Sequence, residues 1–235
     1  MRQTNKIRKG IAWLLCTVLV LGILPMLPQM SMQISAAENA ASVFVDGVEL
    51  HAGGKKYFKN GDTADSGATG TDEDHSAYYD TAGELWLNNL EAHTIKANGN
   101  LTIYVCNNQE TNTNIVTATQ NETAIEVTGY LTIQYGGYGE TGSLTVESDG
   151  KEAIQAGSGM TVSDGVEVKV RAKSGATAIS SGGVLKIDGI RTKLEAASDG
   201  STGKGIFAQQ SIYVKNSAVL TAFGGAAAYE SPSGI

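Results

Sequence analysis

Residues 124–133 read Ala124-Ile125-Glu126-Val127-Thr128-Gly129-Tyr130-Leu131-Thr132-Ile133, and residues 153–162 read Ala153-Ile154-Gln155-Ala156-Gly157-Ser158-Gly159-Met160-Thr161-Val162. Each stretch is a small residue and Ile, a tight polar turn, and then a short run that alternates apolar with polar. The same two patterns recur along the chain. The first appears as Ala124-Ile125, Ala153-Ile154, Ala178-Ile179 and Gly205-Ile206, with Thr94-Ile95 as a weaker copy. The second appears as Leu101-Thr102-Ile103, Leu131-Thr132-Ile133, Met160-Thr161-Val162, Leu185-Lys186-Ile187 and Ile212-Tyr213-Val214. From the Ile of the first to the start of the second is six residues in all five copies, while the Ile-to-Ile steps are 30, 29, 25 and 27.

A third pattern follows in each unit: Val116-Thr117-Ala118, Leu144-Thr145-Val146, Val170-Arg171-Ala172, Leu194-Glu195-Ala196 and Leu220-Thr221-Ala222. Period-two alternation closed by Gly, Asn or Asp is the pattern of short strands and turns. Three strands in each unit of about 25–30 residues fit an all-β parallel β-helix, a solenoid of about five to six three-strand coils. A propeller blade needs four strands in ~40–45 residues, and a sandwich would not hold the six-residue interval constant. In this alignment Arg171 sits one rung from Glu195, and Glu147 neighbours Lys173. These charges are read as marks of register, since exposed pairs add little stability.

Outward from the repeat, Val43 to Leu50 reads as a β-hairpin turning at Asp46-Gly47. Lys56-Tyr57-Phe58 joins it as a cap, a polar loop follows to His75, and Leu85-Trp86-Leu87-Asn88-Asn89 enters the solenoid. The cap and acidic loop cover residues 38–84 and the β-helix residues 85–235. Ser233-Gly234-Ile235 repeats Gly203-Lys204-Gly205-Ile206, with Ile235 29 residues after Ile206. A sixth coil is expected to begin there, on a chain truncated at its C-terminus.

Residues 1–37 have the form of a secretory signal. Arg2, Lys6, Arg8 and Lys9 precede an apolar run from Ile11 to Leu24, and Ser35-Ala36-Ala37 offers a cleavage site. The run's 14 residues are short for a membrane span of ~20; an uncleaved anchor is the alternative. Cleavage removes four basic groups and no acid, shifting the formal charge from −7 to −11. A secreted or cell-surface protein is therefore expected, monomeric and without attraction to nucleic acid or anionic lipid. Of the 2 Cys only Cys106 then remains, too few for a disulfide scaffold. It is either buried and inert or available for pairing between chains, and the flanking Leu101, Ile103 and Val105 favour the first.

Two variable loops, Cys106–Asn114 and Gln134–Ser143, leave the same flank of neighbouring coils. They carry Asn107, Asn108, Glu110, Tyr135, Tyr138 and Glu140. Tyrosine rings can stack on the apolar faces of sugars while Asn and Glu take the hydroxyls, so these six are the candidate ligand-binding residues. Trp86 and Tyr104 are read as packing residues. Asp72, Glu73, Asp74 and Asp80 are candidates for a hard-oxygen Ca²⁺ site, although the spacing of an EF-hand loop is missing. His51, His75 and His93 lack zinc-ligand spacing. No nucleophile elbow, Cys–His constellation or phosphate loop occurs in the sequence, and no catalytic residues are assigned.

The order Val43-Phe44-Val45-Asp46-Gly47-Val48-Glu49-Leu50, Tyr78-Tyr79, Leu85-Trp86-Leu87-Asn88-Asn89 and the repeated Ala-Ile and Leu-Thr-Ile units resembles a family. It is that of secreted right-handed parallel β-helix proteins of Gram-positive anaerobes, described as carbohydrate-binding-domain proteins of the pectate-lyase-like class. The resemblance spans residues 43–235. It implies a non-catalytic protein that binds polysaccharide through its lateral face and loops. A structural adhesin stalk and a Ca²⁺-dependent polysaccharide lyase are the alternatives, since fold alone does not choose among them.

Overall fold

The structure, a computed structural model, describes residues 38–51, 56–106, 113–119, 121–137 and 141–232. All regular structure among them is β. Three sheets form the faces of a parallel β-helix, and each of five complete coils gives one strand to each sheet. The coils begin at Ile95, Ile125, Ile154, Ile179 and Ile206, and these five stand directly side by side in the first sheet. In the second sheet Leu101, Leu131, Met160, Leu185 and Ile212 do the same. Adjacent rungs lie ~4.8 Å apart. Because side chains alternate, these residues and their i+2 neighbours line one core, which is left open at the last coil, where Val214 is 41% exposed.

The constant six-residue interval has a steric cause. At the corner between first and second strands the backbones of successive coils lie almost in contact. A Cβ on Gly182 would fall 1.9 Å from the Gly157 carbonyl oxygen, and one on Gly157 would fall 2.1 Å from that of Thr128. A corner this tight has no room for an inserted residue, so its length is the same in every coil.

The third sheet corrects the expected register. Leu144 stands beside Asn114 and Val168, and the column continues through Leu194 and Leu220. Val116 and Val170 therefore sit one inward position further along than their repeat alignment implied. Lys169, not Arg171, is the rung neighbour of Glu195, and Asp149, not Glu147, is that of Lys173. Lys173 still reaches Glu147 diagonally at 3.3 Å. A slip of two residues preserves inward and outward faces, and Val168, Val170 and Ala172 are all apolar and buried. Hydrophobicity could not choose between the two alignments.

At the N-terminal side, Ser42–Val45 and Val48–His51 form the expected hairpin, whose first strand lies antiparallel on Ile95–Ala97. Asp46 and Gly47 both have positive φ, 50° and 77°, as a two-residue hairpin turn requires. Lys56–Phe58 and Ala77–Tyr79 extend the second sheet, again antiparallel. Phe58 and Tyr79 are fully buried beneath this cap, and the Tyr79 hydroxyl donates to the Ala40 carbonyl at 2.5 Å. At the other side, Ala227–Glu230 pairs with Lys204–Ala208 and places Tyr229 beside Ile206. The sixth coil thus begins at Ala227, earlier than the expected Ser233-Gly234-Ile235, which lies outside the described residues. Gly224, Gly225 and Ala226 alone make the turn out of the third sheet, where the preceding coil uses Asp199 to Gly203.

The signal-like segment 1–37 also lies outside the described residues, as do 107–112 and 138–140 of the two variable loops. Their roots are held by Asn114, a buried polar side chain in the third sheet. Its amide oxygen accepts from the Leu90 N–H at 3.0 Å, and its amide nitrogen donates to the carbonyls of Cys106 and Ser143, each at 3.3 Å.

Candidate functional site on the third sheet

Of the six candidate ligand-binding residues, Asn107, Asn108, Glu110, Tyr138 and Glu140 lie outside the described residues. Tyr135 is not a loop residue. It ends the strand Tyr130–Tyr135 and stands beside Val105, on the inward parity of Leu131 and Ile133. Its ring packs against the core, and burial pushes its phenol pKa up. The alternation 131, 133, 135 was the signal that could have placed it.

The four acids proposed for Ca²⁺ do not come together. Among the described residues no three His, Cys, Asp or Glu side chains form a metal-holding group. Asp72 accepts from the Tyr57 hydroxyl at 2.7 Å, and Asp74 pairs with Lys59 at 2.5 Å. Asp80 accepts from the N–H groups of Ala82 and Glu84, at 2.9 and 3.0 Å, closing the turn before Glu84–Asn88. Glu73 is exposed. Asp72, Asp74 and Asp80 each make a separate local contact.

Trp86 and Tyr104 pack as expected. Tyr57, Tyr78, Trp86 and Tyr104 occupy successive rungs on the outside of the second sheet. Trp86 stacks on Tyr104 with centroids 4.1 Å apart and on Tyr78 at 5.9 Å. Gly136 crosses this ladder so closely that a Cβ there would meet Tyr104 Cβ at 2.8 Å and Trp86 Cζ3 at 2.9 Å. Both faces of the indole are thus covered by neighbouring rings, and no ligand can lie on it. Burial raises the Tyr78 phenol pKa to about 12, with smaller contributions from Cys106 and Asp80. Burial also raises the Cys106 thiol pKa, which keeps the half-buried group protonated and disfavours the thiolate chemistry of a reactive cysteine.

An open groove of about 440 Å³ lies on the third sheet. Its floor is Ala197, which occupies a rung between Arg171 and Phe223. The small methyl leaves a notch between two large side chains. On one side Phe223 presents its ring to solvent, 57% exposed. On the other, Arg171 is held by Asp199, with Nε at 3.1 Å and Nη2 at 2.8 Å from one carboxylate oxygen. That contact raises the guanidinium pKa. Lys169 and Glu195 line the adjacent outward column, with Thr145 before them and Thr221 after. Lys169 turns along its own strand to Glu167, at 3.3 Å. The arrangement is an apolar ring face beside a shallow seat bordered by hydrogen-bond donors and acceptors.

A second groove of about 440 Å³ lies where the hairpin meets the first coil, lined by Phe44, Asp46, His93, Thr94, Lys96 and Glu122. Asp46 is occupied in holding the hairpin to the first coil, and Lys96 is engaged between coils. Asp46 accepts from the N–H groups of His93 and Thr94 at 2.7 and 2.8 Å, and Lys96 reaches Glu122 at 3.9 Å. The third-sheet groove differs in keeping one lining carboxylate, Glu195, without a hydrogen bond or ion pair among the described residues, and which cation borders its Ala197 floor depends on the register of the third sheet. No family model, no curated protein and no solved structure matches the chain.

Proposed function

We propose that this is a secreted or cell-surface protein that binds polysaccharide without cleaving it, through the groove on its third sheet. One observation carries the reading: the exposed Phe223 ring beside the Ala197 notch, with Arg171, Asp199, Lys169 and Glu195 around it. A pyranose offers an apolar C–H face and a rim of hydroxyls. The ring supports the face, and the charged side chains take the hydroxyls as donors and acceptors. Outward positions recur every ~4.8 Å along the solenoid, but the side chains on them differ from rung to rung, so the Phe223–Ala197 seat is one local subsite and not a repeated one. Arg171 with Asp199, Lys173 with Glu147 and Lys169 with Glu167 form exposed pairs, which are weak enough to leave their remaining N–H groups and oxygens available to hydroxyls.

The test is retention of the chain on insoluble polysaccharides, chitin and cellulose among them, with the Phe223→Ala variant beside it. The reading expects retention on at least one polymer, lost in Phe223→Ala and kept in Phe44→Ala at the hairpin groove. Retention indifferent to Phe223, or release of soluble sugar from the polymer, would overturn it.

A further inference from the structure

Glu195 separates the ligands that this groove could take. Four cations stand on or beside the third-sheet face, and each has an acidic partner. Arg171 is paired with Asp199 at 2.8 Å, Lys173 with Glu147 at 3.3 Å, and Lys169 and Lys193 share Glu167 at 3.3 and 3.8 Å. Glu195 is the exception among the charged groups that line the groove. It is exposed, it stands between Lys169 and Thr221 on neighbouring rungs, and among the described residues it has no ion pair or hydrogen bond. The nearest rung cation, Lys169, is drawn away to Glu167. One unneutralised carboxylate therefore borders the seat, on the column next to Ala197 and Phe223.

A ligand that completes this site supplies a positive charge at the edge of an apolar ring-shaped body. A uronate would set its carboxylate against the unpaired Glu195, and a neutral sugar would leave Glu195 with hydroxyl contacts alone. A hexosamine with a free amino group satisfies both parts. Its C–H face lies on Phe223, and its ammonium donates to Glu195 in a charge-assisted hydrogen bond, stronger than a bond to a neutral donor. The exposed ring also attracts a cation through its π face. We propose that the groove selects glycans carrying unsubstituted amino sugars, a proposal that rests on the carbohydrate-binding reading above.

The experiment is titration of the whole chain with soluble chitosan oligosaccharides and with their fully N-acetylated counterparts, at low and at physiological salt. The expected result is binding of both, with the free-amine series about tenfold tighter. Glu195→Gln removes that tenfold preference and leaves the N-acetylated series unchanged, whereas Phe223→Ala weakens both. The preference shrinks as salt is raised, because the pair is exposed. Glu126→Gln, an acid on the first sheet, serves as the control for diffuse attraction to a negatively charged surface. If it reduces amine binding as much as Glu195→Gln does, the attraction is diffuse and the proposal is overturned. Equal affinity for both series in the unmodified chain overturns the proposal and leaves the carbohydrate reading standing. Absence of binding to either series, together with no retention on any polymer, overturns both.

Discussion

Arg171 donates two N–H groups to a single carboxylate oxygen of Asp199, and the two residues belong to neighbouring coils. The contact ties the guanidinium to the border of the Ala197 notch. Both side chains are about half exposed, so the pair is screened by water and adds little to stability. Its effect is on position. Asp199→Asn should leave the thermal unfolding midpoint nearly unchanged and weaken glycan binding several-fold, because Arg171 is then free to sample other rotamers. Calorimetric melting beside a binding titration separates the two effects.

Ala197 sets the depth of the same notch. Ala197→Leu places a branched side chain on the floor, on an outward position where the core is not disturbed. Binding should fall by about tenfold or more while the melting midpoint holds, since surface substitutions away from strained sites change stability by ~0.5 kcal/mol or less. Unchanged affinity in this variant would move the ligand elsewhere on the solenoid.

The core carries the opposite expectation. Ile154 is fully buried and touches the rungs of Ile125 and Ile179, while its chain neighbour Gln155 points outward. Ile154→Ala should cost about 2–5 kcal/mol, the loss of buried methyl groups together with the cavity they leave. Gln155→Ala should fall within about 0.5 kcal/mol of the parent. Denaturant unfolding followed by circular dichroism reads both.

These contrasts indicate why part of the architecture could be read from the residues and part could not. The first and second strands of each coil are linked by a corner that admits no insertion, so the alignment of Ile125 with Ile154 and of Leu131 with Met160 was visible as a fixed interval. The third strand is entered through connections of two kinds. From Leu101 to Asn114 and from Leu131 to Leu144 is 13 residues, but from Met160 to Val168 is 8. With no fixed interval, and with apolar residues at every second position, the strand could be slid by two and look the same. The groove suffers most from that ambiguity. The pairing of Ala197 with Phe223 follows from the alignment of Leu194 with Leu220 in either register, but Arg171 becomes the neighbour of Ala197 only in the true one, where the sequence alignment would have set Lys173. Tyr135 was a different matter, since its parity with Leu131 and Ile133 was available throughout.

Gly182 tests the corner itself. Its φ is not positive; the constraint is the approach of the Gly157 carbonyl to where a Cβ would stand, at 1.9 Å. Backbone on both sides must shift to admit a methyl group. Gly182→Ala is expected to destabilise by several kcal/mol, beyond the ~1–3 kcal/mol typical of overpacking by flexible side chains. Gly61→Ala is the informative contrast, since nothing lies within 4 Å of a Cβ there but φ is 94°. That variant carries backbone strain alone, and its smaller loss, measured by the same denaturant titration, sets the scale for the steric term.

The cap loop should be the acid-sensitive part of the molecule. Asp62 is buried beneath it, and burial by itself would raise its pKa. The Thr69 hydroxyl and the N–H groups of Lys59, Thr69 and Gly70 outweigh that by donating to the carboxylate, and the net shift is downward. The Lys59 and Thr69 N–H contacts are 2.8 and 2.9 Å long. A carboxyl whose pKa is lower folded than unfolded stabilises the fold above the unfolded value of about 3.9, and this contribution fades as pH falls through the folded value. Acidification from pH 5 towards 2 should therefore loosen residues 59–70 before the coils melt. Amide hydrogen exchange at Thr69 and Gly70 should rise in that interval while exchange at Ile154 and Ile179 stays slow. Asp62→Asn, which cannot titrate, should show the faster exchange already at neutral pH and lose the acid dependence. Simultaneous loss of protection at the loop and at the coils would show that Asp62 does not govern the cap.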